Sequence, residues 1–197
     1  MRKPWHAHVS PAARAYHEAG RVVVAYAFDG QVRRGGVRSG AWAHVWHPMT
    51  ANVCVLMAGY LAEGKFQGHR WDWEEEIIEE EVIKELRAVR SGHIEDVSLR
   101  GSPTDFRAIA QAIFDDDPPT TPADARRLVT YCRQQTSALL DELRGWGGVE
   151  RLAQALLRHR YLSPSIVKHL LDEEFAQRPA LDRPSLAAMP RRVSVAL

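Results

Sequence analysis

The sequence predicts a mainly α fold with a small β element, and three observations support this prediction. Apolar residues recur at helical spacing over most of the chain, most clearly between Trp73 and Arg90. A Ser or Thr followed by Pro suits the N-cap and first position of a helix, and it precedes four such segments. These pairs are Ser10-Pro11, Ser102-Pro103, Thr121-Pro122 and Ser163-Pro164. Strands are predicted in one segment, 31–46, where glycines separate valines and tryptophans.

The N-terminal part predicts two helices separated by a β element. The first helix is expected from Ala12 to Phe28 behind the N-cap Ser10, and the pair Asp29-Gly30 ends it. Residues 31–46 predict a short β-hairpin or two irregular strands. A second helix from about Pro48 to Phe66 is nearly all apolar, which indicates that it is buried.

The middle of the chain predicts two further helices of different character. Trp73 to Arg90 carries isoleucine, valine and leucine on one face and glutamates on the other, and we interpret the glutamates as a solvated face. The segment Ser102-Pro103-Thr104-Asp105 predicts a helix start that leads into residues 106–114. Asp115 to Pro119 is typical of a polar linker.

Three helices are predicted in the C-terminal part. The first runs from Thr121-Pro122 to about Arg144, and the second starts at Gly147-Gly148 and ends near Arg160. The third follows Ser163-Pro164 and reaches about Phe175. Beyond Gln177 three prolines interrupt a segment without sustained periodicity, which predicts a loose C-terminal tail.

Composition narrows the class of protein. The chain has 197 residues, 45% of them hydrophobic and 26% charged, with a formal net charge of +1, so it offers no strong field for nucleic acid. The start of the chain leads into no apolar signal segment, and the longest apolar stretch, Ala51 to Ala62, is too short to span a bilayer. Cys54 and Cys132 form no CxxC pair and are expected to be reduced core thiols. We therefore expect a cytoplasmic protein without a membrane span.

The chemistry-bearing motif is His17-Glu18-Ala19-Gly20-Arg21, the front half of H-E-x-x-H. In the complete motif two histidines one helical turn apart bind zinc, and the glutamate activates the zinc-bound water as general base. Arg21 stands where the second histidine would be. Arginine has no lone pair to donate and stays protonated, so it cannot ligate a metal ion. Taken alone, Glu18 and Arg21 are also typical of an ordinary helical surface pair.

Four segments in order resemble the peptidase domain of the FtsH-type zinc metalloproteases. Residues 15–25 resemble its HEAGH helix, and residues 55–63, with Ala58-Gly59-Tyr60-Leu61-Ala62-Glu63, resemble its AGxxAE helix. Residues 101–108 are similar to the segment in which an aspartate supplies the third zinc ligand. Residues 149–171 are similar to the helical end of the same domain.

The resemblance implies a helical peptidase domain over residues 10–176, between an N-terminal arm, 1–9, and the tail, 177–197. It places the three ligand positions on His17, Arg21 and Asp105, with Glu18 as the catalytic base. The charged segment at about 67–100 is an insertion, and the ATPase module of that family is lacking. Zinc is implied if the site is active, and otherwise no metal or weakly bound zinc. The expected partner is a polypeptide substrate or a protein.

Three functions remain open from the sequence. The first is a metallopeptidase-like protein, catalytically impaired by Arg21, that acts by binding a polypeptide or partner. The second is an active zinc metalloendopeptidase whose missing ligand comes from another histidine. The candidates for that ligand are His6, His8, His44, His47 and His69. The third is a helical scaffold in which the HEAGR motif is accidental.

The acidic residue at the third ligand position also has a structural interpretation. Asp105 lies in the first turn of its predicted helix, where a carboxylate favours the helix dipole and completes a capping box with Ser102. The two roles are compatible. If the resemblance extends to geometry, we expect Glu18, Arg21 and Asp105 to form one cluster with an arginine–carboxylate contact.

Overall fold

The computed structural model describes residues 10–28, 31–36, 42–44, 49–68, 71–91, 104–116 and 121–176. The helices of this part are α1 (Pro11–Ala27), α2 (Met49–Phe66), α3 (Trp71–Arg90), α4 (Thr104–Asp116), α5 (Pro122–Asp141), α6 (Leu143–His159) and α7 (Pro164–Ala176). The strands are β1 (Gln31–Gly36), β2 (Trp42–His44) and β3 (Tyr161–Leu162). The prediction of a mainly α fold with a small β element is confirmed. The predicted N-terminal arm and C-terminal tail lie outside the described residues.

Three of the four predicted Ser/Thr-Pro helix starts can be checked, and each one caps a helix. The side chain of Ser10 accepts a hydrogen bond from the Ala13 amide at 3.0 Å. Thr121 accepts one from the amide of Asp124 at 3.1 Å, and the Ser163 hydroxyl accepts a longer one from Ile166. Each cap satisfies a backbone donor that the first turn of a helix leaves without a partner. The pair Ser102-Pro103 lies outside the described residues.

The break between α5 and α6 falls at Glu142, earlier than predicted, and Gly147-Gly148 lies inside α6. The prediction that these glycines start the helix was wrong, because α6 already begins at Leu143, where Gly145 allows its first turn to pack on the end of α5. A methyl group on Gly145 would lie 1.8 Å from the carbonyl oxygen of Leu139, so the first turn of α6 presses against the end of α5. Lys65 donates to the Leu140 carbonyl at 3.2 Å and to Asp141 at 2.9 Å, which fixes that end of α5.

The strands form one sheet in the order β2–β1–β3. β1 pairs antiparallel with β2 within the segment predicted to form a hairpin or two irregular strands, and the register shifts between Val32 and Arg34. The sequence did not predict β3, which has two residues and pairs antiparallel with β1 through Gly35 and Gly36. This pairing connects the strand after α1 to the segment between α6 and α7.

Helix α1 lies at the centre of the core. It packs most extensively against α2 and α6, while α2 also contacts α4 and α5. Residues Val22 to Ala25 are buried over a full turn, so α1 is covered on more than one side. Helix α2 is buried along most of its described length, as its apolar sequence predicts. None of the helices in the described part has the length and apolar character needed to cross a membrane.

The two cysteines meet in the core although they are 78 residues apart in sequence. Both are free thiols and both are buried, as predicted. The Cys54 thiol donates to the carbonyl of Cys132 at 3.5 Å, and the Thr136 hydroxyl donates to that same carbonyl at 2.7 Å. The hydrogen bond with Cys54 and burial raise the pKa of the Cys132 thiol above its usual value, so this thiol stays protonated.

The acidic helix α3 is more than a solvated face. It packs against α4 and α5, and two of its glutamates form ion pairs there. Glu79 accepts hydrogen bonds from Thr130 at 2.7 Å and from the Arg133 side chain at 3.4 Å. Glu85 lies 3.9 Å from Arg107 of α4. The prediction of a solvated face was therefore wrong for Glu79 and Glu85, because cations on neighbouring helices draw their carboxylates inward.

We expect Glu79→Leu to lower the free energy of unfolding by about 2 kcal/mol, because it leaves the buried guanidinium of Arg133 without this carboxylate. The Arg133 and Glu79 side chains are 11% and 17% exposed, so this value is below that of a fully buried pair. The double variant Glu79→Leu/Arg133→Met should recover most of the loss. Urea unfolding of the three proteins measures the difference. Equal stability of Glu79→Leu and wild type would show that the pair contributes nothing.

Asp172 connects α7 to α1 through the hydroxyl of Tyr26 and also pairs with Lys168. The hydrogen bonds from Lys168 and Tyr26 lower the pKa of Asp172 below its usual value. A carboxyl group with a lower pKa in the folded state stabilises the fold above its unfolded pKa, about 3.9, and this stabilisation is lost as the pH falls through the folded value. We therefore expect Asp172→Asn to flatten the loss of stability below about pH 4, measured by urea unfolding across that range. An unchanged pH profile would contradict this assignment.

Candidate functional site

The His17-Glu18 pair of the HEAGR motif lies where α1 crosses α2. His17 is 12% exposed, and its ring lies against Gly59 of the predicted AGxxAE helix. A methyl group on Gly59 would be 2.5 to 2.8 Å from three atoms of the ring, including Nε2. No side chain larger than hydrogen fits at position 59 while the imidazole stays in place. The two segments that carry the resemblance therefore meet directly.

The same crossing requires a second glycine, Gly20. A methyl group there would lie 2.5 Å from the carbonyl oxygen of Ala58 and 2.5 Å from the Cβ of Ala62. The small residues of both motifs thus allow the two backbones to approach closely. The short distance between the two helices lets the ring of His17 pack directly against the backbone of α2.

The orientation of His17 is fixed by Glu63, one helical turn after Gly59. The Nδ1 atom of His17 lies 3.1 Å from Oε2 of Glu63. An ionised carboxylate only accepts hydrogen bonds, so Nδ1 carries the proton and donates it. In the neutral ring the lone pair then resides on Nε2. Histidines that ligate metals in proteins almost always donate their other nitrogen's proton in this way.

Aromatic contacts bring the start of α4 to the same face of α2. The ring of Tyr60 meets His17 edge-on, with centroids 5.3 Å apart. Phe106 of α4 stacks on the ring of Tyr60, with the ring centroids 4.5 Å apart and the ring planes 7° apart. Asp105 immediately precedes Phe106, so its backbone lies in the turn that is held against α2. The side chain of Asp105 lies outside the described residues.

Glu18 and Arg21 follow His17 on α1. Glu18 is 5% exposed, which is unusual for a carboxylate, and Arg21 is half-buried. Both side chains have interaction partners in the molecule. Arg21 lies four residues after His17, so the two side chains emerge on the same face of α1. The expected contact between Arg21 and Asp105 stays a prediction.

These residues fit only part of a zinc site. His17 donates through Nδ1 to a carboxylate, as metal-ligating histidines do, but the next position on its face is occupied by a guanidinium, which has no lone pair. Across the residues with described side chains, no three His, Cys, Asp or Glu come together as a metal-binding group. The side chains of the candidate replacement ligands, His6, His8, His44, His47 and His69, lie outside that part. The described donor set is therefore incomplete for zinc.

Gly59, Tyr60 and Glu63 lie in the segment that resembles the AGxxAE helix, but the sequence alone indicates no role for any of them. Their roles are to receive the ring of His17, to flank it and to orient it. The spacing of Gly59 and Glu63 in the sequence indicates that both lie on one face of the helix, since residues four apart on a helix share a face. The pairing of Glu63 with His17 spans 46 residues and could not be read from either segment alone.

Compared with protein-family models, curated proteins and solved structures, the chain matches none of them.

Proposed function

We propose that the chain is a metallopeptidase-like protein of the FtsH type with a degenerate site, which binds a polypeptide or a protein partner and does not cleave it. The observation that carries this proposal is the pair formed by His17 and Glu63, with Arg21 one helical turn further along α1. One ligand position keeps the environment of a zinc-binding histidine. The next position carries a fixed positive charge.

The guanidinium at position 21 changes what the site can do. A cation at this place repels a divalent metal ion and favours carboxylates. Glu18 and Asp105 are the carboxylates nearest in the motif pattern, and pairing with either would replace coordination by charge-assisted hydrogen bonds. Such an ion pair keeps the fold of the site but provides no metal ion to activate water.

Binding without cleavage is tested with an unfolded polypeptide. Tag-free protein is incubated with fluorescein-labelled unfolded casein, complex formation is followed by anisotropy, and the casein is then examined by gel electrophoresis. We expect a saturable rise in anisotropy, intact casein after prolonged incubation, and well under one equivalent of zinc by elemental analysis. Glu18→Gln serves as the matched control, because it removes a general base while keeping the side chain's shape.

The active zinc metalloendopeptidase remains the second candidate, because the hydrogen bond from His17 to Glu63 is typical of ligand histidines. Casein fragments that appear with wild type and disappear with Glu18→Gln would establish this candidate and refute the degenerate site. Near-stoichiometric zinc that survives mild chelation would also refute the degenerate site. An absence of both casein binding and cleavage would remove support for either function and leave a helical scaffold.

A further inference from the structure

A cavity lies away from the His17 site, between the last turns of α3 and the first turns of α5. Its volume is about 750 Å³, within the range of pockets that hold small organic ligands. Helix α3 contributes Ile83 and Arg87, and all the other lining residues come from α5. None of the residues around the His17 site takes part. The cavity is therefore separate from the His17 site.

Among the described residues, the lining of this cavity carries three positive charges and no carboxylate. The cations are Arg87, Arg126 and Arg127. Arg127 forms an ion pair with Asp124 of its own helix. Arg87 and Arg126 are exposed, and no ion pair engages either of them within the described part of the chain. Arg87 and Arg126 thus line the cavity from two different helices, and guanidinium is the side-chain group best suited to phosphate oxygens.

The rest of the lining suits a flat, mostly apolar group. Ile83 is buried and Tyr131 is half-buried, so an aliphatic and an aromatic surface close the inner part of the cavity. Thr130 already donates its hydroxyl to Glu79, outside the lining, whereas the amide of Gln134 is exposed at the edge. Burial raises the pKa of the Tyr131 phenol, which keeps its hydroxyl available as a donor. Apolar inner walls with cations at the rim match a ligand that has a ring at one end and an anion at the other.

We propose that this cavity binds a small organic phosphate of mononucleotide size, with the phosphate between Arg87 and Arg126 and the ring against Tyr131 and Ile83. The charge pattern selects an anion, and the volume exceeds what inorganic phosphate alone would fill. The proposal is independent of the peptidase-like site, because the two share no residues and lie on different pairs of helices.

Isothermal titration calorimetry with three probes tests each part of the proposal. AMP carries both a ring and a phosphate, adenosine carries the ring alone, and inorganic phosphate carries the anion alone. We expect one AMP per chain, with binding at least about tenfold tighter than either partial probe, since an arginine–phosphate pair alone changes affinity by about that factor. Flavin mononucleotide serves as a second phosphate with a larger ring.

Variants then locate the site. Arg87→Gln and Arg126→Gln should each weaken AMP binding about tenfold at an unchanged melting temperature. Arg158→Gln, on the exposed end of α6, should leave binding unchanged and is the matched control. Failure of both AMP and flavin mononucleotide to bind at millimolar concentration would overturn the proposal. Binding of adenosine or inorganic phosphate as tightly as AMP, or equal weakening by Arg158→Gln, would also overturn it.

Discussion

Replacing Arg21 by histidine is expected to raise the affinity for zinc by more than about a hundredfold. Loss of a residue that only orients a ligand costs 10–100-fold in metal affinity, so gain of a ligand should exceed that range. The new imidazole would emerge on the face of α1 that already presents His17. The substitution also removes the positive charge that opposes the metal. Competition with a zinc-binding dye measures the change.

The same substitution should couple zinc to folding. A ligand that binds the native state and not the unfolded chain stabilises the native state by mass action. The melting temperature of Arg21→His should therefore rise with added zinc, whereas that of wild type should not. In the Arg21→His background, Glu63→Gln should reduce zinc affinity 10–100-fold, because the carboxylate that orients His17 is lost.

Peptidase activity is a separate readout of the Arg21→His variant. Zinc binding does not by itself require cleavage of unfolded casein, since binding and catalysis need different groups. Where cleavage occurs, Glu18→Gln should abolish it and leave zinc binding largely intact. If Arg21→His stays folded while its zinc affinity and zinc-dependent melting temperature equal those of wild type, the assignment of His17, position 21 and Asp105 as a ligand set is wrong.

Gly20→Ala is expected to lower the free energy of unfolding by about 3 kcal/mol. Alanine is the better helix former by about 1 kcal/mol, so propensity alone predicts a gain. The added methyl group, however, would lie 2.5 Å from a backbone oxygen of α2 and 2.5 Å from the Cβ of Ala62. Neither atom can move without shifting the helix that carries it. Steric overlap therefore decides the sign, and urea unfolding measures the loss.

Gly148→Ala is the matched control for this prediction. It is also a buried helical glycine, but a methyl group there would meet only the ends of side chains, at 3.3 Å from Val23 and 3.4 Å from Leu171. We expect its stability to stay within about 1 kcal/mol of wild type. Equal effects of Gly20→Ala and Gly148→Ala would show that the α1–α2 crossing is looser than described.

Features decided by a few neighbouring residues could be predicted from the sequence. Ser10, Thr121 and Ser163 cap their helices with groups that lie three residues away, so the local pattern was sufficient. Whether a glycine starts a helix or allows close packing within one was harder to predict. Position 145 requires glycine because the carbonyl of Leu139 occupies the space of a side chain. Only the packing of α6 on α5 determines this.

The candidate site was predictable in its residue types and not in its contacts. The HEAGR pattern identified His17, Glu18 and Arg21, but the partner of His17 comes from Glu63 on another helix. The acidic helix shows the same limit, because the inward position of Glu79 depends on Arg133, 54 residues further along the chain. Two-residue β3 has no sequence pattern of its own and exists through its pairing with β1.

The central position of α1 has a consequence for synthesis on the ribosome. Helix α1 is complete at Ala27, but α6, which covers its second side, begins only at Leu143. At about 5–20 residues per second, this interval lasts roughly 6 to 23 s. During that time α6 is missing from the packing around the turn from Val22 to Ala25, and the apolar surface that α6 covers in the folded protein is open to chaperones and to other nascent chains.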